Sequence, residues 1–138
     1  MIEYERKAYY HETDKMGVIH HSNYLRWMEE ARIYMLDSLN LSYKALEDKG
    51  IISPVVSVNV KYKSPARFAD NCTVRLKLTK YTGVKFIISY EIINKDTNVL
   101  LVEAESVSCF VKDGKVISLK NESIEDHKKL LNYLESEK

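Results

Sequence analysis

The spacing of hydrophobic and polar residues changes twice along this chain, and each change marks a different kind of element. Over residues 2–10 the two classes alternate, which predicts a half-buried strand. Arg6 falls on the apolar face of this strand and interrupts it. The other residues of that face are Ile2, Tyr4, Ala8 and Tyr10.

From Asn23 to Leu39 the apolar residues recur three or four positions apart, which predicts a long helix. We expect Ser22 or Asn23 to cap its N-terminus. A second, shorter helix is predicted from Tyr43 to Lys49. The apolar stripe of the long helix is wider than that of a surface helix, so this helix should be largely buried. Its members are Tyr24, Leu25, Trp27, Met28, Ala31, Ile33, Met35, Leu36 and Leu39.

Alternation returns after residue 55 and predicts four strands of an antiparallel meander. They are expected at residues 56–62, 72–78, 86–92 and 99–111. Pro65 separates the first of them from the second, because proline cannot donate to a sheet ladder. Asp113-Gly114 predicts a hairpin turn. Ser123 should open a C-terminal helix whose apolar positions are Ile124, His127, Leu131 and Leu134.

The order of the predicted elements indicates the fold class. A strand, a long buried helix, a short helix and four strands describe an α+β domain in which one antiparallel sheet wraps around one helix. A chain of 138 residues is about the size of one average domain. We therefore expect a single domain over residues 1–138.

Composition and charge exclude several classes of protein. The 21 basic and 20 acidic residues give a net charge of +1 and are interspersed, so DNA or RNA is not an expected partner. Cys72 and Cys109 are too few and too far apart to suggest a disulfide framework or a structural zinc site. We expect a cytoplasmic location without membrane insertion, since the N-terminus lacks a signal-peptide core and no run approaches the ~18 apolar residues of a transmembrane helix.

The residues that carry candidate chemistry lie just before the long helix. Asp14 precedes a glycine turn at Gly17 and stands seven residues before His21, which lies next to the expected start of the helix. Unpaired N–H groups in a first helical turn favour an anion or a developing oxyanion. A carboxylate beside them has the chemistry of a nucleophile or a general base. From composition alone, an ordinary turn or capping aspartate is the favoured interpretation of Asp14.

Two other arrangements of acidic and histidine side chains are disfavoured. Glu29 stands three residues before Arg32, so we expect a structural ion pair there and not a second catalytic carboxylate. A metal site is not expected, because no ligand spacing recurs and neighbours on a strand point to opposite faces. Its ligands would have come from His11, Glu12, Asp14 and either His20 or His21.

The stretch from Tyr10 to Tyr24, followed by Trp27-Met28-Glu29-Glu30-Ala31-Arg32, is similar to a known family. It resembles the hotdog-fold acyl-CoA thioesterases of the hydroxybenzoyl-CoA thioesterase type, especially the branch encoded with the bacterial Tol-Pal envelope system. The likeness extends over nearly the whole chain and includes residues 62–67. It implies a hotdog fold and the hydrolysis of acyl-CoA to a free acid and coenzyme A.

The resemblance also implies roles for individual residues. Asp14 would be the catalytic carboxylate, and the backbone N–H of His21 would polarise the thioester carbonyl. Acyl-CoA would bind at the interface of a homodimer, which in many members pairs again into a tetramer, and no cofactor or metal would be used. His20 departs from the family pattern, in which an aromatic residue is common, so the acyl pocket could differ in polarity.

The expected contacts to substrate extend beyond these two residues. Lys61, Lys63 and Arg67 carry the positive charge that coenzyme A phosphates require, although a solvated outer strand face explains them equally well. Two other functions stay open: a hotdog dehydratase or thioesterase for acyl-carrier-protein substrates, and a non-catalytic acyl-CoA-binding protein. The expected substrate-binding set is Gly17, Val18, His20, Asn23, Tyr24, Lys63, Ser64 and Arg67.

Overall fold

The computed structural model describes residues 1–138 and contains eight strands and four helices. The strands are β1 (Ile2–Lys7), β2 (Ile51–Ile52), β3 (Val55–Tyr62), β4 (Asn71–Tyr81), β5 (Lys85–Asn94), β6 (Leu100–Cys109), β7 (Val111–Lys112) and β8 (Lys115–Val116). The helices are α1 (Ser22–Ser38), α2 (Tyr43–Asp48), α3 (Leu119–Glu122) and α4 (Ile124–Ser136). None of the helices has the length and apolar character needed to cross a membrane.

Five strands form one antiparallel sheet in the order β1-β4-β5-β6-β3. The predicted α+β class with one antiparallel sheet is confirmed, but the predicted meander is wrong at its first step. β3 pairs with β6 and not with β4, so residues 63–70 must cross from one side of the sheet to the other. The crossing is held beside α1, where the Ala66 N–H donates to the Tyr24 hydroxyl at 2.9 Å.

One side of α1 packs against the sheet and is fully buried, with Trp27 and Met35 at 0% exposure. The prediction of a stripe wide enough to bury most of the helix is wrong at two positions. Leu25 and Ile33 are 39% and 37% exposed, because no part of the chain covers that side of α1. Helix spans agree with the predictions to within one residue at each end.

The first and last predicted strands are both too long. β1 ends at Lys7, and residues 10–12 form a 3₁₀ turn that leaves Tyr10 74% exposed. The turn forms because the Tyr9 N–H donates to the Glu12 carboxylate at 2.8 Å, which folds the chain back. The predicted strand at 99–111 breaks at Phe110, after which β7 pairs with β2 and β8 in a separate small sheet.

The hairpin turn was predicted better than the strand ends. Asp113 and Gly114 adopt φ of 53° and 74° between β7 and β8, which confirms the predicted hairpin. Ser123 precedes α4 as predicted, and the predicted apolar face of this helix is right at His127 and Leu134, which pack inward, but wrong at Ile124 and Leu131. Leu130 is buried, whereas Ile124 and Leu131 are 49% and 36% exposed. The inward side of the helix also includes buried Asp126, which binds Lys49 at 2.7 Å.

Candidate active site

A cleft of about 260 Å³ lies where the start of α1, the end of β3 and the loop before α1 meet. Six of the residues predicted for the site line it: Asp14, Val18, His21, Tyr24, Lys63 and Ser64. Sequence reasoning missed its other lining residues, which are Met16, Ile19, Tyr62 and Pro65. Each of these four is a direct neighbour in the chain of a predicted site residue, and this could have identified them.

The loop before α1 is a tight hairpin built on Asp14 and Gly17. The Asp14 N–H donates to the Val18 carbonyl at 2.9 Å, and the Gly17 N–H donates to the Asp14 carbonyl at 3.1 Å. Gly17 adopts a φ of +77°, a conformation that costs a residue with a Cβ but not glycine. The predicted role of Gly17 as a positive-φ turn residue is therefore confirmed.

The Asp14 carboxylate is half-buried and held by backbone groups of its own loop. Its Oδ1 accepts from the Met16 N–H at 2.8 Å and from the Val18 N–H at 3.4 Å. No group of the chain donates to Oδ2. One oxygen is thus fixed in place, while the other keeps its lone pairs available to a ligand or water in the cleft.

The start of α1 is capped differently from the prediction, which named Ser22 or Asn23 and is wrong. Neither of their side chains accepts from a first-turn N–H. His20 does this instead, since its Nδ1 accepts the Ser22 N–H at 3.2 Å and its carbonyl accepts the Asn23 N–H at 3.0 Å. An imidazole nitrogen can replace the usual hydroxyl or amide oxygen because it is also a neutral acceptor.

The N–H of His21 is the group at this helix start that keeps no acceptor within the chain. The Tyr24 N–H, one turn later, already donates to the His21 carbonyl at 3.3 Å. The His21 ring is exposed, stacks on His20 with centroids 4.3 Å apart, and meets the edge of Tyr62 at 5.9 Å. An unsatisfied N–H at the positive end of α1 is suited to an anionic oxygen.

Four predicted site residues do not line the cleft: Gly17, His20, Asn23 and Arg67. Asn23 is 5% exposed. Its side-chain Nδ2 donates to the Glu12 carbonyl, and its Oδ1 accepts from Arg26. The backbone of Arg67 pairs with that of Val18, which lines the cleft, but Arg67 itself does not line it. Its guanidinium has no ion-pair partner in the chain.

Two charged pairs inside the fold explain residues that the sequence had flagged. The predicted Glu29–Arg32 ion pair is confirmed at 2.9 Å, and buried Arg32 also donates to the Ser53 carbonyl at 2.9 Å. Arg6, which interrupts the apolar face of β1, binds the buried carboxylate of Glu12 at 2.9 Å. No three histidine, cysteine, aspartate or glutamate side chains lie close enough together to hold a metal ion.

Glu12 is ionised despite its burial. Burial by itself would raise the pKa of this carboxyl, but hydrogen bonds from Trp27, the Tyr9 backbone and Arg6 outweigh it and lower the pKa below its usual value. Sequence reasoning considered Glu12 only as a metal ligand and missed this role. The available signal was Arg6, because a cation on the apolar face of a strand needs a buried anion.

Known proteins are similar to this chain in sequence and in fold. A family model described as the thioesterase-like superfamily matches residues 10–126. The putative acyl-CoA thioesterase YneP of Bacillus subtilis is 35% identical over 110 residues, which are 80% of this chain and 80% of that protein. The acyl-CoA thioester hydrolase YbgC of Escherichia coli is 33% identical over 99 residues, 72% of this chain and 73% of its own.

A solved structure agrees with these matches. The DHNA-CoA thioesterase of Staphylococcus aureus superposes with a TM-score of 0.90 at 34% identity, covering 94% of this chain and 88% of its own. The family match contains the cleft, the whole of α1 and four of the five strands of the large sheet. The predictions of a hotdog fold and of a thioester hydrolase are confirmed, and this chain belongs to the thioesterase-like superfamily.

Proposed function

We propose that this protein hydrolyses acyl-CoA thioesters to a free acid and coenzyme A. The observation that supports this most directly is the cleft at the start of α1, which is lined by both Asp14 and His21. Asp14 supplies a carboxylate with one oxygen unbound, and His21 supplies an N–H without an acceptor. The names of the relatives in Bacillus subtilis and Escherichia coli point to the same substrate class.

In this proposal the two groups act on opposite ends of the polarised carbonyl. The His21 N–H donates to the carbonyl oxygen and stabilises the negative charge that develops there. Asp14 either attacks the carbonyl carbon, forming an anhydride that water then hydrolyses, or takes a proton from the attacking water. In both routes the C–S bond breaks and coenzyme A leaves as a thiolate, which takes up a proton.

The substrate contacts are also part of the proposal. Lys63 and Ser64 line the cleft, and the Lys63 ammonium lies 3.9 Å from the Glu103 carboxylate, a loose pair that leaves it available to a phosphate. Val18 and Tyr24 are proposed to contact the thioester end of the substrate. Contacts from Gly17, His20, Asn23 and Arg67 stay predictions.

The test is steady-state hydrolysis of a panel of aliphatic and aromatic acyl-CoAs, followed by release of the free thiol. Asp14→Asn should lower kcat on the order of a hundredfold or more while acyl-CoA still binds, because the amide is neither nucleophile nor base. His21→Ala keeps the backbone N–H, so its loss should stay within about tenfold. A strong chelator should leave turnover unchanged.

The alternatives correspond to distinct outcomes. Binding of acyl-CoA by the wild-type protein without any turnover would favour the non-catalytic acyl-CoA-binding protein. Turnover confined to acyl-carrier-protein thioesters would favour the carrier-protein enzymes. Near-normal kcat in Asp14→Asn, or a larger loss in His21→Ala, would overturn the residue assignment while leaving the reaction in place.

We also propose that the active form is at least a homodimer, with a tetramer as its larger form. β3 is an edge strand of the large sheet, so one side of its backbone is unpaired. Its apolar residues stay exposed, with Val56 at 54% and Val58 at 45%. Light scattering at micromolar concentration should give at least twice the 16.1 kDa of one chain, and a mass of one chain would contradict the proposal.

Within the superfamily, we propose the branch encoded with the Tol-Pal envelope system. The support is the motif from Tyr10 to Arg32 on which the resemblance rests. The test is the genomic neighbourhood, since a gene remote from those of the envelope system would contradict this assignment without affecting the proposed reaction.

A further inference from the structure

Glu12 is the most heavily bonded carboxylate of the chain, and it lies outside the cleft at 3% exposure. Its Oε1 accepts from Arg6 Nη1 at 3.0 Å and from the Tyr9 N–H at 2.8 Å. Its Oε2 accepts from Arg6 Nη2 and from Trp27 Nε1, both at 2.9 Å. The carboxylate therefore joins β1, the 3₁₀ turn and α1.

The backbone carbonyl of Glu12 makes a second set of bonds. It accepts from the His20 N–H at 2.9 Å and from Asn23 Nδ2 at 3.0 Å. Glu12 and His20 bracket the loop that carries Asp14, and a bridge between Thr13 and Ile19 closes it further. Both ends of the loop are thus fastened to one residue.

The two proposed catalytic groups sit directly beside these bonds. Asp14 follows Glu12 by two residues, and the His21 N–H follows His20 by one. A shift of Glu12 would move the Asp14 carboxylate relative to the start of α1, which changes the geometry of attack and of oxyanion stabilisation together. Errors of about 1 Å in such geometry cost up to a hundredfold in rate.

We propose that Glu12 is a positioning residue, whose buried carboxylate and carbonyl hold the Asp14 loop in register with the N-terminus of α1. This inference rests on the proposed thioesterase function and deepens it. Glu12 acts through the loop, because it does not line the cleft. Its four donors need both side-chain oxygens as acceptors, and the ionised carboxylate provides them.

Glu30 provides a matched control on the same arginine. Arg6 Nε donates to Glu30 Oε1 at 2.9 Å, and the Tyr4 hydroxyl donates to the same oxygen at 3.0 Å. Glu30 makes no hydrogen bond to the Asp14 loop. Glu12→Gln and Glu30→Gln therefore each remove one negative charge from Arg6, but only the first change puts an amide NH₂ among the donors that hold the loop.

The experiment compares steady-state hydrolysis of one accepted acyl-CoA by the wild type and four variants. Glu12→Gln should lower kcat at least tenfold, an order-of-magnitude expectation, with KM within about threefold. Glu30→Gln should keep kcat within about twofold. Glu12→Asp keeps the charge but is one methylene shorter, so it should not restore kcat. Trp27→Phe removes one of the four donors and should lower kcat about threefold with KM unchanged.

Three kinetic results would overturn the proposal: unchanged kcat in Glu12→Gln, equal losses in Glu12→Gln and Glu30→Gln, or full kcat in Glu12→Asp. The last result would mean that charge alone matters. If Glu12→Gln does not fold, Trp27→Phe decides the question, because unchanged kcat in this variant would also overturn the proposal.

Amide hydrogen exchange separates a failure of this inference from a failure of the proposed function. In Glu12→Gln, residues 13–21 should exchange at least about tenfold faster, whereas Glu30→Gln should leave them unchanged. A wild-type protein that hydrolyses no acyl-CoA would refute the proposed function, and the exchange rates would still test Glu12. Equal protection of residues 13–21 in both variants would reject the positioning role.

Discussion

The two sides of the candidate active site differ in how much of their structure one chain completes. On one side, Arg6, Glu12, Trp27 and Asn23 form a buried network in which almost every donor and acceptor is used. On the other side, a groove between α1 and β3 is open to solvent. The network holds the groups proposed for catalysis in place. The groove has α1 on one side and β3 on the other, and the rest of it is open.

The open groove is largely apolar and, like the cleft, is lined by residues of α1 and β3. A pocket of about 210 Å³ lies there, with Leu25 and Met28 of α1 facing Val55 and Val58 of β3. Three of these four side chains are 39–45% exposed, which is unusual for aliphatic residues beside a buried helix. The difference is consistent with the two proposals that one chain sets the catalytic geometry and that a second chain completes the acyl-binding surface.

The largest expected effect comes from breaking the network at its cation. Arg6→Met should lower the free energy of unfolding by about 3–5 kcal/mol, because Glu12 would be left as an unpaired buried charge. Lys95→Met, which removes an exposed partner of Glu5 at 3.5 Å, should cost less than about 1 kcal/mol. Urea denaturation measures both values, and equal small losses would show that the network contributes little.

The next effect concerns the open side. Val58→Lys should weaken self-association about a hundredfold and leave the network intact, because an unpaired ammonium buried at an interface costs a few kcal/mol. Sedimentation of diluted samples measures the shift towards 16.1 kDa. Val116→Lys is the control, since Val116 is 60% exposed on β8 of the small sheet. An unchanged mass for Val58→Lys would place the interface elsewhere.

Acid should destabilise the network in a predictable direction. The pKa of Glu12 is lowered on folding, so its stabilising contribution is present above the unfolded pKa and is lost as the pH falls through the folded pKa. The free energy of unfolding should therefore fall as the pH drops below the usual titration range of a glutamate carboxyl. When denaturation is measured at a series of pH values, the free energy of unfolding should decline less steeply towards acid in Glu12→Gln than in Glu135→Gln. Equal slopes would show that Glu12 is not the source of the pH dependence.

The smallest effect is expected at the residue that joins the two sides. Tyr24 packs against Trp27 of the network and against Tyr62 at the end of β3, with ring centroids at 5.2 and 5.8 Å. Tyr24→Phe should cost about 1–2 kcal/mol in unfolding free energy, because the Ala66 N–H loses its acceptor. Tyr43→Phe is the control, since its hydroxyl reaches Glu29 only at 3.5 Å. Similar melting temperatures for the wild type and Tyr24→Phe would show that the bond is replaced.

Local features of this protein followed from its sequence because their causes are local. The spacing of apolar residues gave the span of α1 to within one residue, and Asp113-Gly114 gave the hairpin. Gly17 and Asp14 were identified for the same reason, since a tight turn before a helix needs these residue types at these positions. The family resemblance extends over nearly the whole chain, but most of the residues that carry it lie in the local stretch from Tyr10 to Arg32.

Tertiary structure decided what depends on partners distant in the chain. The pairing of β3 with β6 could not be read from alternation, because a period of two shows which face is apolar but not which strand lies alongside. Glu12 gains its role from Arg6 and Trp27, which lie six and fifteen residues away. The exposed side of α1 was invisible for the same reason: periodicity marks an apolar face, and only the packed chain determines whether anything covers it.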